Sequence, residues 1–148
     1  MRGRWISLMT AVLMTAALCA LPLTLAGCGD NEPPDFTLSL ASGQSATATI
    51  TQGGTTSVKF QVTAVSGSTG SITLVLSGLP NNVGVAPGSA TVGIGSPQTF
   101  ILSAASNAAV TSTPVTLTAT GVSGNPLNSI SITHSQTVTL SVTAPPAP

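Results

Sequence analysis

Few side chains in this sequence could do chemistry. The thiols are Cys19 and Cys28, the only imidazole is His134, and the carboxylates are Asp30, Glu32 and Asp35. His134, in Ile132-Thr133-His134-Ser135, could act as a general base only if an acid oriented it, and every carboxylate lies just after Cys28, far away in sequence. Ser135 adjoins it, but neighbours along a strand point to opposite faces, so the two cannot pair directly. His134 is therefore expected to be a surface or strand-edge histidine. Asp30, Asn31, Glu32 and Asp35 offer oxygens to calcium, yet they lack the glycine and distal glutamate of a loop chelator and read as a solvated tether. Paired carboxylates, Cys/His metal sets and phosphate-cradling glycine loops are missing from the sequence. No catalytic residue, metal or cofactor is expected, and no small-molecule ligand.

Charge is as sparse as chemistry. The 148 residues carry three basic and three acidic side chains. Arg2 and Arg4 open the chain, the acids follow Cys28, and Lys59 is the only formal charge from Phe36 to Pro148. One lysine cannot neutralise a run of phosphates, so nucleic acid is excluded as a partner. Thr, Ser, Asn and Gln must solvate the surface instead. The abundance of β-branched and apolar residues separates this composition from that of a disordered chain.

The elements that would position these residues are written in period two. Phe36, Leu38 and Leu40 alternate with Thr37 and Ser39, and Ala46, Ala48 and Ile50 follow. Val58, Phe60, Val62 and Ala64 share one face of the next run, then Ile72, Leu74 and Leu76. Weaker runs hold Val83 and Val85, and Ala90, Val92 and Ile94. Phe100, Leu102 and Ala104 alternate again, as do Val115, Leu117 and Ala119; the last run holds Ile130, Ile132, Val138, Leu140 and Val142. Turn residues separate the runs, and Gly53-Gly54 reads as a hairpin turn. The pattern predicts an all-β Greek-key sandwich of about seven to nine antiparallel strands, with Phe36, Phe60 and Phe100 in its core. Residues 35–144 form the sandwich, 28–34 the tether and 145–148 an extended, solvated proline-rich tail.

Before the sandwich, Arg2 and Arg4 precede an apolar run from Ile6 to Ala26, the layout of a secretory signal and an expected signal helix. The run approaches the length of a membrane span, so length alone does not decide between the two. The deciding residues are Leu25-Ala26-Gly27-Cys28, which resemble the lipobox of bacterial lipoproteins. In that family a diacylglyceryl group joins the cysteine thiol, the signal is cut just before it, and the new amino terminus is usually acylated. The resemblance implies cleavage of residues 1–27, lipid attachment at Cys28, and recognition of Leu25, Ala26 and Gly27 by the peptidase. Cys19 follows Leu18, too bulky for that cut. Each buried methylene contributes about 0.8 kcal/mol, so two or three chains give durable attachment where one gives a marginal one. Cleavage would remove Cys19 and acylation would occupy Cys28, leaving no thiol for a disulfide. Gly29 stands where an aspartate favours retention at the inner membrane in such lipoproteins, which by resemblance points to the outer membrane of a cell that has one.

The strand-bounding stretches Ile50-Thr51-Gln52-Gly53-Gly54-Thr55, Ser77-Gly78-Leu79-Pro80-Asn81-Asn82-Val83, Val115–Gly121 and Thr137–Val142 together resemble the immunoglobulin-like sandwich modules of bacterial secreted and surface proteins. The resemblance covers residues from about 35 to 144. Many such modules close a corner with a tyrosine at the entry to the penultimate strand. This chain has Thr113-Pro114-Val115 there and no tyrosine, so the corner must close otherwise. The resemblance implies no active site. Two functions are expected to compete: a lipid-anchored structural or interaction module that pairs with an envelope protein through a strand edge, and a carbohydrate-binding module. Sugar platforms need exposed rings, and the only tryptophan, Trp5, goes with the signal.

Overall fold

The computed structural model describes residues 35–66, 69–123 and 129–148. All belong to the second of two compact units, Glu32–Pro148. The expected signal helix and the tether 28–34 lie outside the described residues.

Among the described residues nine strands form: β1 (Asp35–Leu40), β2 (Thr47–Thr51), β3 (Thr55–Ser66), β4 (Thr69–Ser77), β5 (Val83–Ala86), β6 (Ser89–Val92), β7 (Pro97–Ala104), β8 (Thr111–Ser123) and β9 (Ser131–Thr143). They build two sheets, one ordered β1-β3-β7-β5 and the other β2-β9-β8-β4-β6. The apolar member of each alternating pair turns inward. Phe36, Phe60, Phe100, Ile72, Leu102, Leu117 and Leu140 are all at most 1% exposed, joined in one core. Phe60 and Phe100 meet edge to face with centroids 6.1 Å apart, a favoured aromatic arrangement. The opposite members are hydroxyls. Across the five-stranded sheet, Thr91, Thr73, Thr120 and Thr133 stand in one register line on the solvent side, where threonine solvates without charge.

Two expectations need correction. The strands are not all antiparallel: β2 runs parallel to β9, with Thr47 opposite Thr139 and Ile50 opposite Val142. The reason is that β1 and β2 are consecutive but lie in different sheets. After pairing with β3, the chain steps across at Ala41–Ala46 and lies down beside the last strand in the same direction. Nor is Gly53-Gly54 a hairpin, because β2 and β3 also belong to different sheets. The local geometry is still a tight turn: the Gly54 N–H donates to the Thr51 carbonyl at 2.8 Å, and Gly53 takes φ +76°, which a side chain would resist. Every connection crosses between the sheets except β8 to β9. Alternation specifies which face a residue takes, and a turn motif specifies a reversal. Neither specifies which sheet receives the next strand.

The corner that lacks its tyrosine is held from another side. Gln52, in the β2–β3 turn, donates its amide N–H to the Ala108 carbonyl at 2.6 Å, and Ala108 is buried within the β7–β8 connection. Pro114 fits in β8 because β4 ends at Ser77, paired with Thr116, so no ladder partner awaits the missing N–H.

Candidate functional site

The lipid-attachment residue Cys28 and its recognition residues Leu25, Ala26 and Gly27 lie outside the described residues, as do Asp30, Asn31 and Glu32. The described part of the candidate site is the place where the chain enters the sandwich.

There the sequence reading of His134 is overturned in one respect. An acid does orient it. Asp35, the first residue of β1, accepts a hydrogen bond from His134 Nε2 at 2.8 Å across 99 positions of sequence. The carboxylate can only accept, so Nε2 carries the proton. The same Asp35 oxygen accepts the Phe36 backbone N–H at 2.7 Å. The His134 ring stands edge-on to Phe36, with centroids 4.8 Å apart and planes at 77°. A fully buried ring, a half-exposed imidazole and a half-exposed carboxylate thus clasp β9 of one sheet to the first residues of β1 in the other.

The clasp is electrostatically directional. The His134 hydrogen bond first, and the Phe36 N–H second, hold the Asp35 carboxyl below the ordinary carboxylate range. A carboxyl depressed in the folded state contributes stability above its unfolded pKa and loses that contribution as pH falls through the folded one. Asp35→Asn should therefore be less stable than the parent at pH 7. It should also lose less stability than the parent on acidification below about pH 4. Urea midpoints at pH 7 and pH 3 check this, and parallel losses in the two proteins would refute the clasp. The effect should be modest, because both partners are substantially exposed.

As chemistry, an acid–imidazole pair needs a third group to act upon. Ser135 faces outward, as its strand position requires, and the imidazole's inner surroundings are Phe36 and Asp35. Among the described residues no cluster of three metal-ligating side chains occurs, and no helix is long and apolar enough to cross a membrane. All three phenylalanines are buried, so none offers a ring to a sugar.

A second feature adjoins the clasp. The Thr139 N–H donates to the Ala46 carbonyl, and the Thr143 carbonyl accepts from Gln52 N–H, so these residues of β9 direct their backbone groups toward β2. Pairing of β9 with β8 continues without a register shift from Ser131 to Val142. By alternation, Ser131, Thr133, Ser135 and Thr137 also direct their backbone groups away from β8. β2 begins opposite Thr139, so among the described residues this half of β9 is an open sheet edge. Sequence reading anticipates an exposed edge but not its place, which follows from how little of β9 the parallel strand covers.

Comparison with known proteins finds no matching family model and no matching curated protein. Among solved structures, domains 4 and 5 of the S-layer protein SbsC are 18% identical with TM-score 0.47, covering 74% of this chain and 53% of that one. A chaperone–tip adhesin complex of CFA/I fimbriae is 12% identical with TM-score 0.47, covering 75% and 57%. The CsuC–CsuE chaperone–tip adhesion subunit complex of Acinetobacter baumannii is 12% identical with TM-score 0.46, covering 74% and 57%. This chain spans little more than half the length of each. At such identities an architecture carries no function from one protein to another.

Proposed function

We propose that the protein is a non-catalytic, lipid-anchored module of the bacterial cell envelope, an immunoglobulin-like sandwich moored by acyl chains on Cys28 that acts as a spacer and docks other proteins through a strand edge. The observation that carries this reading is the order Leu25-Ala26-Gly27-Cys28, six charged or turn-forming residues, then a sandwich whose first residue is clasped to its last strand. That order puts a rigid domain directly on a short leash. Burial of Phe36, Phe60 and Phe100 supports protein docking over sugar binding, since a glycan platform works through exposed rings. In a cell with two membranes, Gly29 favours the outer one.

The test is processing of the full chain expressed in a bacterium. The mature protein should begin at Cys28 with acyl groups on the sulfur and the amino terminus, seen by mass spectrometry, and should fractionate with membranes. Cys28→Ser should abolish acylation and leave an unprocessed precursor. A mature chain that begins at Met1 and carries a free Cys28 thiol would overturn the reading.

A further inference from the structure

We infer that the open edge of β9 pairs with the same edge of a second copy of this chain, joining two five-stranded sheets into one across a two-fold axis at His134. This rests on the docking role proposed above and names the partner.

The backbone sets the register. Ser131, Thr133, Ser135 and Thr137 present N–H and C=O groups to the open side, while His134 lies midway. In an antiparallel pair centred on His134, Ser131 meets Thr137 of the second copy and Thr133 meets Ser135. All four are outward-directed, so each N–H finds a carbonyl and none is left over. The slot spans roughly 20 Å of strand. Ala46 and Thr47 close one end, and β9 begins at Ser131 at the other. It has the length of the segment that would fill it.

Side chains agree with the backbone. Facing pairs on the solvent side are serine with threonine, partners that hydrogen-bond across strands. The edge carries none of the devices that keep edges apart: no lysine, no proline and no bulge from Ser131 to Thr137. His134 is turned inward, onto Phe36 and Asp35, and so does not stand in the seam. From Asp35 onward the sequence holds one acid, one lysine and this histidine, so two copies approach without net repulsion.

The position of the tether makes a second copy the fitting occupant. Asp35 begins the described chain and lies 2.8 Å from His134, hence beside the axis. A two-fold axis normal to the sheet leaves both copies of Asp35 on the same side of the joined sheet. The six residues between Cys28 and Asp35 then join each copy at a point close to the same axis. Two chains anchored in one bilayer can pair like this without twisting either anchor, and shared anchorage raises their effective concentration.

The test uses the full chain purified from membranes in detergent. Sedimentation should give twice the protein mass of one chain. Ser135→Pro removes an outward N–H that the monomer does not use, so it should halve that mass while retaining the strand circular dichroism spectrum. In a second arm, Thr133→Cys and Ser135→Cys copies are mixed and treated with a short thiol cross-linker. The mixture should cross-link several-fold better than either alone, and the parent should not cross-link. Reactivity in the parent would report a free Cys28 and count against the anchor alone. A monomeric parent, an unchanged mass for folded Ser135→Pro, or equal cross-linking of all three samples would overturn the edge pairing.

Discussion

Replacing Phe100 with alanine is expected to lower the unfolding free energy by about 3–5 kcal/mol, the range for removing a buried aromatic side chain. Phe100 lies on β7, a central strand of the four-stranded sheet, fully buried, with Val58 opposite it on β3 and the Phe60 ring edge-on. The site cannot collapse easily, because both strands beside β7 are fixed by their ladders. Nothing covalent shares the load: both cysteines precede Asp35, so the sandwich contains no disulfide. Against a typical total of about 5–15 kcal/mol, one such loss removes a large share of stability. Urea unfolding of the full chain should show the midpoint dropping sharply for Phe100→Ala and by much less for Phe100→Leu, which keeps most of the volume. A loss below about 1 kcal/mol for the alanine variant would mean that Phe100 is not the core residue its burial makes it.

The contrast between what was readable and what was not follows from what each kind of pattern encodes. Alternation of Val58, Phe60 and Val62, or of Val115, Leu117 and Ala119, reports local geometry, and all six residues are buried. Phase fails where a strand runs past the core. Ala64 follows Val62 in phase but is exposed, and Ala46 precedes the strand that holds Ala48 and Ile50. Val85 and Ile94 are only partly buried, as expected of residues at the rims of short strands. Neighbour relations are beyond the reach of period two, so it encodes neither the parallel β2–β9 pair nor the sheet change at Gly53-Gly54. The clasp escaped for a related reason. His134 and Asp35 are individually unremarkable in type and spacing, and only the return of the last strand beside the first brings them together. Of the candidate site, the proposed anchor rests on the contiguous residues Leu25 to Cys28, which a sequence displays directly, whereas the clasp and the open edge are products of tertiary topology.

Gly121→Ala should destabilise the fold by about 1–3 kcal/mol, a large effect for one methyl group. Gly121 is buried in the interior of β8, where glycine is normally a poor choice. Its reason for being there is Phe36. A methyl at position 121 would lie 3.0 Å from Phe36 Cε1 and 3.4 Å from Ile72 Cγ1. Neither neighbour can step aside cheaply, since both are fully buried. If the Phe36 ring yields, it must move against His134, whose ring it contacts edge-on, and His134 holds Asp35. One methyl on β8 would therefore loosen the clasp at the root of the tether. Two measurements separate this from ordinary overpacking. The variant should show a shallower acid loss of stability than the parent, approaching that of Asp35→Asn. In a Phe36→Leu background, where the ring edge is gone, the same substitution should cost much less, giving a coupling energy on the order of 1 kcal/mol. Additive costs with an unchanged acid profile would show that Gly121 serves packing alone and that the clasp stands independently of it.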